Sequence, residues 1–262
     1  MISPPTVRLA ALACVLWCAL ANPACAATCS KAITMGTGHW EPYAYYDAQR
    51  RFTGIDADMA RAIFKEAGCV LVEMAQMPAT RNMTLFEQAG IDMMSGATLT
   101  PERLKIARFS VAYRDETVGI FMLADGAARY RTVHSFDDFL DQPLALLAPK
   151  VGWYGLLFER HAEALHSAKR LSRFGDYSQG IRMLAAGRAD FMLGDAAGVE
   201  HAAARLGVKV QPLPFWMAQA PVHMMFNRAT VREADVRRID AAIARLQRRG
   251  EFERIRRTYG GS

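Results

Sequence analysis

The chain has 262 residues, of which 52% are hydrophobic and 22% are charged. This is ordinary globular composition, so it excludes a disordered chain, and the length fits one large domain or two of average size. The formal net charge is +6, and most of the excess lies near the C-terminus, in arginines interspersed with apolar residues at helical spacing. That pattern indicates an amphipathic helix with a solvated basic face. A nucleic-acid-binding segment would also carry aromatic or groove-reading residues.

Residues 1–26 have the features of a secretory signal peptide. The single charged residue Arg8 precedes an apolar run over residues 9–20, which is followed by Pro23 and the small residues Ala24-Cys25-Ala26. A charged start, a short apolar run and a small-x-small end are the parts of such a signal. No later segment approaches the ~20 apolar residues that a transmembrane helix needs. We expect export to the periplasm; a retained N-terminal anchor is the alternative.

Removal of the signal would leave two cysteines. Cys29 precedes the first predicted strand, and Cys69 opens the second. Cysteines in an oxidising compartment tend to pair, and parallel neighbouring strands would place both at the same end of a sheet. The sequence therefore predicts a Cys29–Cys69 disulfide, with two free thiols as the alternative.

Strand-like and helix-like segments alternate from residue 31 onward. The predicted strands are 33–37, 69–74, 91–95, 144–147 and 189–193. The predicted helices are 56–67, 82–88, 153–168, 177–186 and 196–206. Such alternation is typical of an α/β fold with mainly parallel strands.

A faint internal repeat favours two lobes of similar build. Residues 88–96 and 186–194 both read as a helix end, glycine, aspartate, an apolar strand and glycine. Any helix–strand junction uses glycine and aspartate, which is the alternative explanation. The β-rich segment 110–123 and the proline-broken segment 211–226 are suited to cross between lobes, as a two-segment hinge. The predicted lobes are 27–118 with 216–262 for lobe 1, and 119–215 for lobe 2.

Arg103 stands at an unusual position. Thr100-Pro101-Glu102 reads as a helix start, with a hydroxyl cap, a proline and an acidic residue. A cation in the first turn is repelled by the positive end of the helix dipole. The position makes sense if a bound anion supplies the missing charge, because arginine offers a planar fork suited to a carboxylate. A surface arginine balanced by Glu102 is the alternative.

Polar residues follow one predicted strand in each lobe. Gly96-Ala97-Thr98 follows a strand of the first lobe, and Asp195 follows one of the second. Binding sites in open α/β sheets lie beyond the carboxyl ends of strands. Arg103 in one lobe and Asp195 in the other would together hold a zwitterion. The alternatives are a plain helix N-cap for Asp195 and a plain turn residue for Thr98.

Several segments carry a resemblance to one family. They are Trp40 to Tyr43, Gly54 to Met59, Gly96 to Arg103, Phe109 to Tyr113, Gly187 to Asp190, and Asp195. Through them the chain resembles the bacterial extracellular solute-binding proteins of family 3, over nearly all of the mature chain. The resemblance implies a two-lobed periplasmic binding protein fold of type II. It also implies a receptor that captures a polar amino acid in the interlobe cleft for a membrane permease of an ABC importer.

The resemblance also implies roles for individual residues. Arg103 would hold the α-carboxylate of the ligand, helped by the hydroxyl of Thr98 and the backbone of Gly96. Asp195 would accept from the α-ammonium group. Trp40 or Tyr43 would form an aromatic wall. The resemblance gives Asp56, Asp58, Asp92 and Asp190 structural roles.

One segment departs from the family pattern. Residues 148–153 stand where the family has a Gly-Ser/Thr turn that contacts the ligand carboxylate. Pro149 removes a donor there, and Lys150 and Trp153 add bulk. Lys150 therefore suggests an additional acidic group on the ligand. Arg81, after the second predicted strand, is a further candidate for the pocket, with a solvated loop arginine as the alternative.

Two other functions remain open at this stage. Some relatives of this fold resemble periplasmic dehydratases acting on cyclohexadienyl acids, where a carboxylate is the general acid, and Glu41 or Glu159 would be the candidates here. A ligand-sensing partner of a signalling receptor would use the same site. The six histidines are scattered, and no metal, nucleotide or nucleophile motif is present. We expect a monomeric binding protein with no enzyme activity, no cofactor, no metal and no nucleic-acid partner.

Overall fold

The computed structural model describes residues 28–259, so the predicted signal peptide at 1–26 lies outside the described residues. The strands are β1 (Ile33–Met35), β2 (Tyr45–Tyr46), β3 (Phe52–Thr53), β4 (Leu71–Glu73), β5 (Met93–Thr98), β6 (Ala107–Phe109), β7 (Arg114–Leu123), β8 (Leu146–Pro149), β9 (Leu171–Phe174), β10 (Phe191–Asp195) and β11 (Val210–Asn227). The α-helices are α1 (Ile55–Ala67), α2 (Ala79–Glu87), α3 (Pro101–Ile106), α4 (Phe136–Leu140), α5 (Leu156–Ser167), α6 (Tyr177–Ala185), α7 (Ala196–Arg205), α8 (Glu233–Arg248) and α9 (Glu251–Thr258). A 3₁₀ helix covers Ala124–Tyr130.

One mixed sheet organises the molecule. Its strand order is β4-β1-β5-β11-β7-β10-β8-β9, and β6 pairs with β11 beside this path. Strand β1 is parallel to β4 and β5, and β8 is parallel to β9 and β10. The predicted α/β class is confirmed, with two parallel groups of strands instead of one continuous parallel sheet.

The two groups are joined by two long antiparallel strands. β7 and β11 pair from Arg114 opposite Val222 to Leu123 opposite Val210. These are the segments predicted to cross between lobes. The prolines of the second segment do not end the strand: Pro212 and Pro214 lie at or within a register irregularity between Pro212 and Trp216, whereas Pro221 lies in the regular ladder opposite Asp115. A bulge tolerates proline because a ladder hydrogen bond is already missing there.

Each group of strands has its own apolar core. The first core draws on buried residues up to Tyr113 and again from Val222 onward, with α1 and α8 packed together. The second draws on residues between Val118 and Leu213. A two-lobed division accounts for this separation, while the residue boundaries given above stay a prediction.

The predicted disulfide is confirmed. Cys29 and Cys69 are bonded, with their Cα atoms 5.0 Å apart. Ile33 pairs with Leu71 in the parallel β1–β4 ladder, so the two cysteines lie at the same end of these strands. The bond closes a loop across 40 residues and ties the N-terminus of the described chain to the sheet.

The basic C-terminal stretch forms two helices. Gly250, with φ of +69°, separates α8 from α9, and both helices bury apolar faces that include Ile239, Ile243 and Phe252. The predicted amphipathic pattern is therefore split by a left-handed glycine. Within residues 28–259, no helix combines the length and the apolar character needed to cross a membrane.

The internal repeat has a structural counterpart. Asp92 accepts hydrogen bonds from Lys31 and from the backbone and hydroxyl of Thr34. Asp190 accepts from the backbone of Ala145 and from the hydroxyl of Tyr130. Each aspartate thus ties the segment before its own strand to another part of its lobe.

Candidate functional site

A cavity of 170 Å³ lies between the two groups of strands. The ends of β5 and β10, the start of β7 and the loop after β8 all contribute to its wall. Its charged lining residues are Asp56, Arg103, Arg114, Glu116 and Asp195. Its aromatic lining residues are Trp40, Tyr43, Trp153, Tyr154 and Tyr177. This is the edge of the sheet where a binding site was expected.

Arg103 lies on α3, which begins as the sequence predicts. Thr100 is the N-cap, and its hydroxyl accepts from the Arg103 backbone N–H at 3.3 Å. The helix ends after six residues, however, so Arg103 belongs to its last turn as well as its first. A helix this short has a weak dipole, and the expected repulsion is correspondingly small.

The guanidinium of Arg103 has a single protein partner among the described residues. Its Nη1 donates to the carbonyl of Thr98 at 2.8 Å. The side chain is half-buried in the cavity wall, and burial lowers the pKa of Arg103. Within residues 28–259 no carboxylate lies within 4.0 Å to offset that cost. The charge therefore lacks a directly paired counter-ion inside this part of the protein, and Glu159 and Glu116 offset its burial only from a distance.

Asp195 ends β10 on the opposite side of the cavity. Its Oδ2 accepts from the Gly198 backbone at 2.9 Å, which makes it the N-cap of α7, and from the Tyr43 hydroxyl at 2.7 Å. The residue is 4% exposed, and burial raises the pKa of its carboxyl. Asp195 is therefore both the N-cap of α7 and part of the cavity lining.

A second arginine, Arg114, was not anticipated. Its Nε and Nη2 donate to the two carboxylate oxygens of Asp56 at 2.8 and 3.0 Å, and the Tyr43 ring covers its guanidinium at 3.9 Å. Burial alone would lower the pKa of Arg114, but Asp56 raises it well above its usual value. Asp56 therefore has a structural contact, as the resemblance implied, and that contact forms part of the cavity.

Glu116 was also missed. Its Oε2 lies 3.4 Å from Nη1 of Arg114, and its side chain is 14% exposed. Burial is the main cause that raises the pKa of Glu116 to about 7; Arg114 opposes it, and Asp195 and Asp56 add smaller upward contributions. Strand alternation was the available signal, because residues two apart on a strand share a face. Arg114 and Glu116 face the cavity, whereas Asp115 between them is exposed.

Four other predicted site residues line the cavity: Trp40, Tyr43, Gly96 and Thr98. The Gly96 N–H donates to the Tyr113 hydroxyl at 2.9 Å, so the backbone donor expected for the ligand is already used within the protein. Gly96 has φ of +70°, and a Cβ there would lie 3.1 Å from Oδ2 of Asp56. Glycine thus lets the strand pass close to the Asp56–Arg114 pair.

Arg81 and Lys150 do not line this cavity. Helix α2 turns Ala79, Asn82 and Met83 toward it, which leaves Arg81 on the exposed face of the helix. Lys150 is exposed and lines a separate surface pocket of 380 Å³. The bulk that the loop after β8 adds to the cavity comes from Trp153 and Tyr154 instead.

Contacts also join the lobes at the cavity wall and beyond it. Trp40 packs edge-on against Tyr177, with ring centroids 5.1 Å apart. Glu41 forms an ion pair with Arg205 and lies 3.5 Å from Nε2 of His201. Glu41 is therefore engaged outside the cavity lining. Glu159, the other carboxylate considered as a general acid, is exposed on α5.

The described residues contain no group of three or more histidine, cysteine, aspartate or glutamate side chains arranged to hold a metal ion.

The sequence match agrees with the fold. The family model of the bacterial extracellular solute-binding proteins, family 3, matches residues 33–262. The chain belongs to this family.

Relatives of this family 3 protein include different kinds of molecule. A cyclohexadienyl dehydratase of Pseudomonas aeruginosa is 28% identical over 163 residues, which are 61% of this chain and 57% of that enzyme. The chain thus matches little more than half of the length of this curated relative.

Two solved structures share the fold. A histidine kinase sensor domain with similarity to periplasmic binding proteins has a TM-score of 0.74 at 18% identity, covering 88% of this chain and 96% of that one. An arginine-, lysine-, histidine-binding protein from the thermophilic bacterium Geobacillus stearothermophilus has a TM-score of 0.72 at 20% identity, covering 87% and 95%. At these identities the likeness concerns the fold alone.

Proposed function

We propose that the protein is a receptor that binds a zwitterionic small molecule, an amino acid or a close relative, in the interlobe cavity. The observation that carries the proposal is the Arg103 guanidinium, which is half-buried in the cavity wall with only a backbone carbonyl as partner in the described chain. Charged groups inside proteins are normally paired. A ligand carboxylate would supply the missing partner through a bidentate contact.

Asp195 complements Arg103 from the other lobe. Both of its side-chain hydrogen bonds within residues 28–259 use Oδ2. Oδ1 is therefore available in the described structure to accept from the ammonium group of a ligand. The Thr98 hydroxyl adds a polar contact near the carboxylate, and the rings of Trp40 and Tyr43 enclose the remaining ligand surface.

The cavity volume supports a small ligand. At 170 Å³ it is below the roughly 300–1,000 Å³ of sites for drug-sized molecules. We infer that a ligand first binds lobe 1 through Arg103, and that bending of β7 and β11 then brings Asp195 onto its ammonium group. Hinge closure of this kind buries the ligand and creates a new surface for a membrane partner.

Membership of family 3 supports a place for this receptor in import. We infer that the protein is exported, that its signal ends at residue 26, and that a monomer delivers its ligand to an ABC permease. N-terminal sequencing of the exported protein should give residue 27 as the first residue. Loss of ligand uptake in cells lacking the gene would support import, whereas unchanged uptake with a lost transcriptional response would favour sensing.

The binding proposal is tested most directly on the purified protein. Denaturation followed by mass spectrometry should release a co-purified zwitterion, and calorimetry should measure its affinity. Arg103→Ala should weaken binding by about 100-fold or more. Lys105→Ala is a matched control because it removes a cation from the exposed face of the same helix. Equal affinity in the two variants would contradict the assignment.

A second candidate function is dehydration of a small carboxylic acid in the same cavity. Glu116 favours it, because a carboxyl group with a pKa of about 7 is suited to donate a proton to a leaving hydroxyl group near neutral pH. The similarity to a cyclohexadienyl dehydratase supports this candidate. Conversion of cyclohexadienyl acids with loss of water, abolished by Glu116→Gln, would select the enzyme over the receptor.

A further inference from the structure

The cavity contains more acidic groups than basic ones. Among residues 28–259, its lining includes the three carboxylates of Asp56, Glu116 and Asp195 but only the two guanidinium groups of Arg103 and Arg114. Four of the five lie within the bounds predicted for lobe 1, and Asp195 lies within those predicted for lobe 2. A bound zwitterion has no net charge, so it leaves this imbalance unchanged.

The unmatched carboxylate is that of Glu116. Both oxygens of Asp56 are engaged by Nε and Nη2 of Arg114 in a bidentate pair. Glu116 reaches only the remaining nitrogen of the same guanidinium, at 3.4 Å. One cation thus faces two carboxylates, and its shorter contacts go to Asp56. In the proposed receptor, Arg103 and Asp195 are matched by the two ends of the ligand, which leaves Glu116 without a full counter-charge.

The groups that face Glu116 from neighbouring elements do not neutralise the excess negative charge. Asp56 on α1 and Asp195 on β10 are acidic, and the hydroxyls of Tyr43, Tyr154 and Tyr177 are neutral near pH 7. Arg103 on α3 also faces the cavity, but its contact within the described chain is to the Thr98 carbonyl. The environment therefore favours either a proton or a second cation beside Glu116.

We propose that Glu116 recognises a second cationic group on the ligand, so that the cavity selects amino acids that carry a basic side chain. This rests on the proposed function, since it takes Arg103 and Asp195 as the contacts of the α-carboxylate and α-ammonium groups. Glu116 is on the strand that joins the lobes, beside Arg114, so the subsite is present before the second lobe closes. When the ligand is neutral, a proton takes the place of the second cation.

Proton linkage follows from this arrangement. The carboxyl of Glu116 exchanges its proton near pH 7 in the ligand-free cavity. A basic ligand stabilises the ionised form, so its binding releases a proton at or below that pH and strengthens as the pH rises. A neutral ligand stabilises the protonated form, so its affinity falls over the same range. Between about pH 6 and pH 8 each affinity should change by about tenfold, in opposite directions.

The experiment is calorimetry with four probes at about pH 6 and pH 8: L-lysine, L-arginine, L-glutamine and L-glutamate. We expect lysine or arginine to bind at least about tenfold more tightly than glutamine at pH 8, and glutamate to bind most weakly. Glu116→Gln should remove the preference and the opposite pH trends. Asp115→Asn is the matched control, because it removes an exposed charge from the next residue of the same strand.

The outcomes separate this inference from the proposed function. If the wild-type protein binds glutamine or glutamate more tightly than the basic probes at pH 8, or if Glu116→Gln leaves the ratios unchanged, the inference is wrong and the receptor function stands. If none of the four probes binds at either pH, the inference is wrong; if, in addition, denaturation of the purified protein releases no zwitterion, the receptor function fails as well. The pH trends of the wild-type protein give an answer even if the Glu116 variant does not fold.

Discussion

The two arginines of the cavity have the same side chain and opposite surroundings. Arg114 is buried, held by both oxygens of Asp56 and covered by the ring of Tyr43. Arg103 is half-buried and bonded to one backbone carbonyl. A guanidinium whose N–H donors are used by protein acceptors stabilises the structure. A guanidinium whose N–H donors remain free toward a cavity is positioned to bind a ligand.

The comparison is tested most directly by making the same alanine substitution at both arginines. The largest effect on unfolding free energy is expected at Arg114. Arg114→Ala leaves Asp56 buried without a counter-charge, which costs about 3–5 kcal/mol of unfolding free energy. Urea unfolding measures the loss. Adding Asp56→Asn to the same variant should restore part of it, because the unpaired charge is then removed; no recovery would show that Arg114 acts through packing alone.

Arg103→Ala should affect binding instead of folding. Loss of a bidentate charge-assisted contact should weaken ligand affinity by about 100-fold or more, from about 3 kcal/mol. The unfolding free energy should change by less than about 0.5 kcal/mol, since only one hydrogen bond to Thr98 is removed. Calorimetry and urea unfolding on the same preparation test both parts. A variant that loses stability and keeps affinity would reverse the roles given to the two arginines.

Glu116 extends the comparison to the pH dependence of stability, because it lies next to Arg114, whose hydrogen bonds are made within the protein. Its pKa of about 7 in the folded protein exceeds the usual carboxyl value of 4.5, so the folded state binds the proton more tightly. That contribution to stability is complete below about pH 4.5 and is lost as the pH rises through 7. We expect the loss to be about 3 kcal/mol.

Glu116→Gln should remove this slope, so the variant should be more stable than the wild-type protein at pH 8 and similar to it at pH 5. Unfolding free energies measured across this interval test the expectation. Asp115→Asn provides the control, because that side chain is exposed. A slope that persists in Glu116→Gln would assign the titration to another group, with Asp195 the first to examine.

The sequence predicted the elements better than it predicted the pairing of charges. Repeating apolar patterns located the helices and the crossing strands, because the period of apolar residues is a local property of a segment. The disulfide followed from the positions of Cys29 and Cys69 beside two predicted strands. Arg114 was missed because its partner Asp56 is 58 residues away, and Glu116 because its burial depends on tertiary packing that brings Asp56 and Asp195 close to it. Arg81 was considered for the cavity because a loop was expected where α2 begins, and the helix turns it outward.

Arg103 shows how a useful prediction can rest on an incomplete reason. The expected repulsion by the helix dipole is small, because α3 has only six residues. The end of β5 and the Thr98 carbonyl direct the side chain into the cavity instead. Whether a carboxylate lies close to an arginine depends on tertiary contacts. The sequence pattern alone therefore did not distinguish Arg103 from a surface arginine.

Tyr43 connects the two ends of the cavity, and the smallest effect is expected from removing its hydroxyl. Its ring lies over the Arg114 guanidinium, and its hydroxyl donates to Oδ2 of Asp195. Tyr43→Phe keeps the ring contact and removes only the bond between the lobes. Asp195 retains its bond from Gly198, so unfolding free energy should fall by about 1 kcal/mol, and ligand affinity by less than about tenfold.

Calorimetry of Tyr43→Phe beside Tyr43→Ala would separate the two contacts. The alanine variant also uncovers Arg114, so its unfolding free energy should fall by a further ~2 kcal/mol, as expected for a desolvated cation–aromatic contact. If Tyr43→Phe instead loses as much affinity as Arg103→Ala, its hydroxyl must contact the ligand directly. Asp195 would then be held in place by the ligand and Tyr43 together, and the open position at Oδ1 would not be the one that receives the ammonium group.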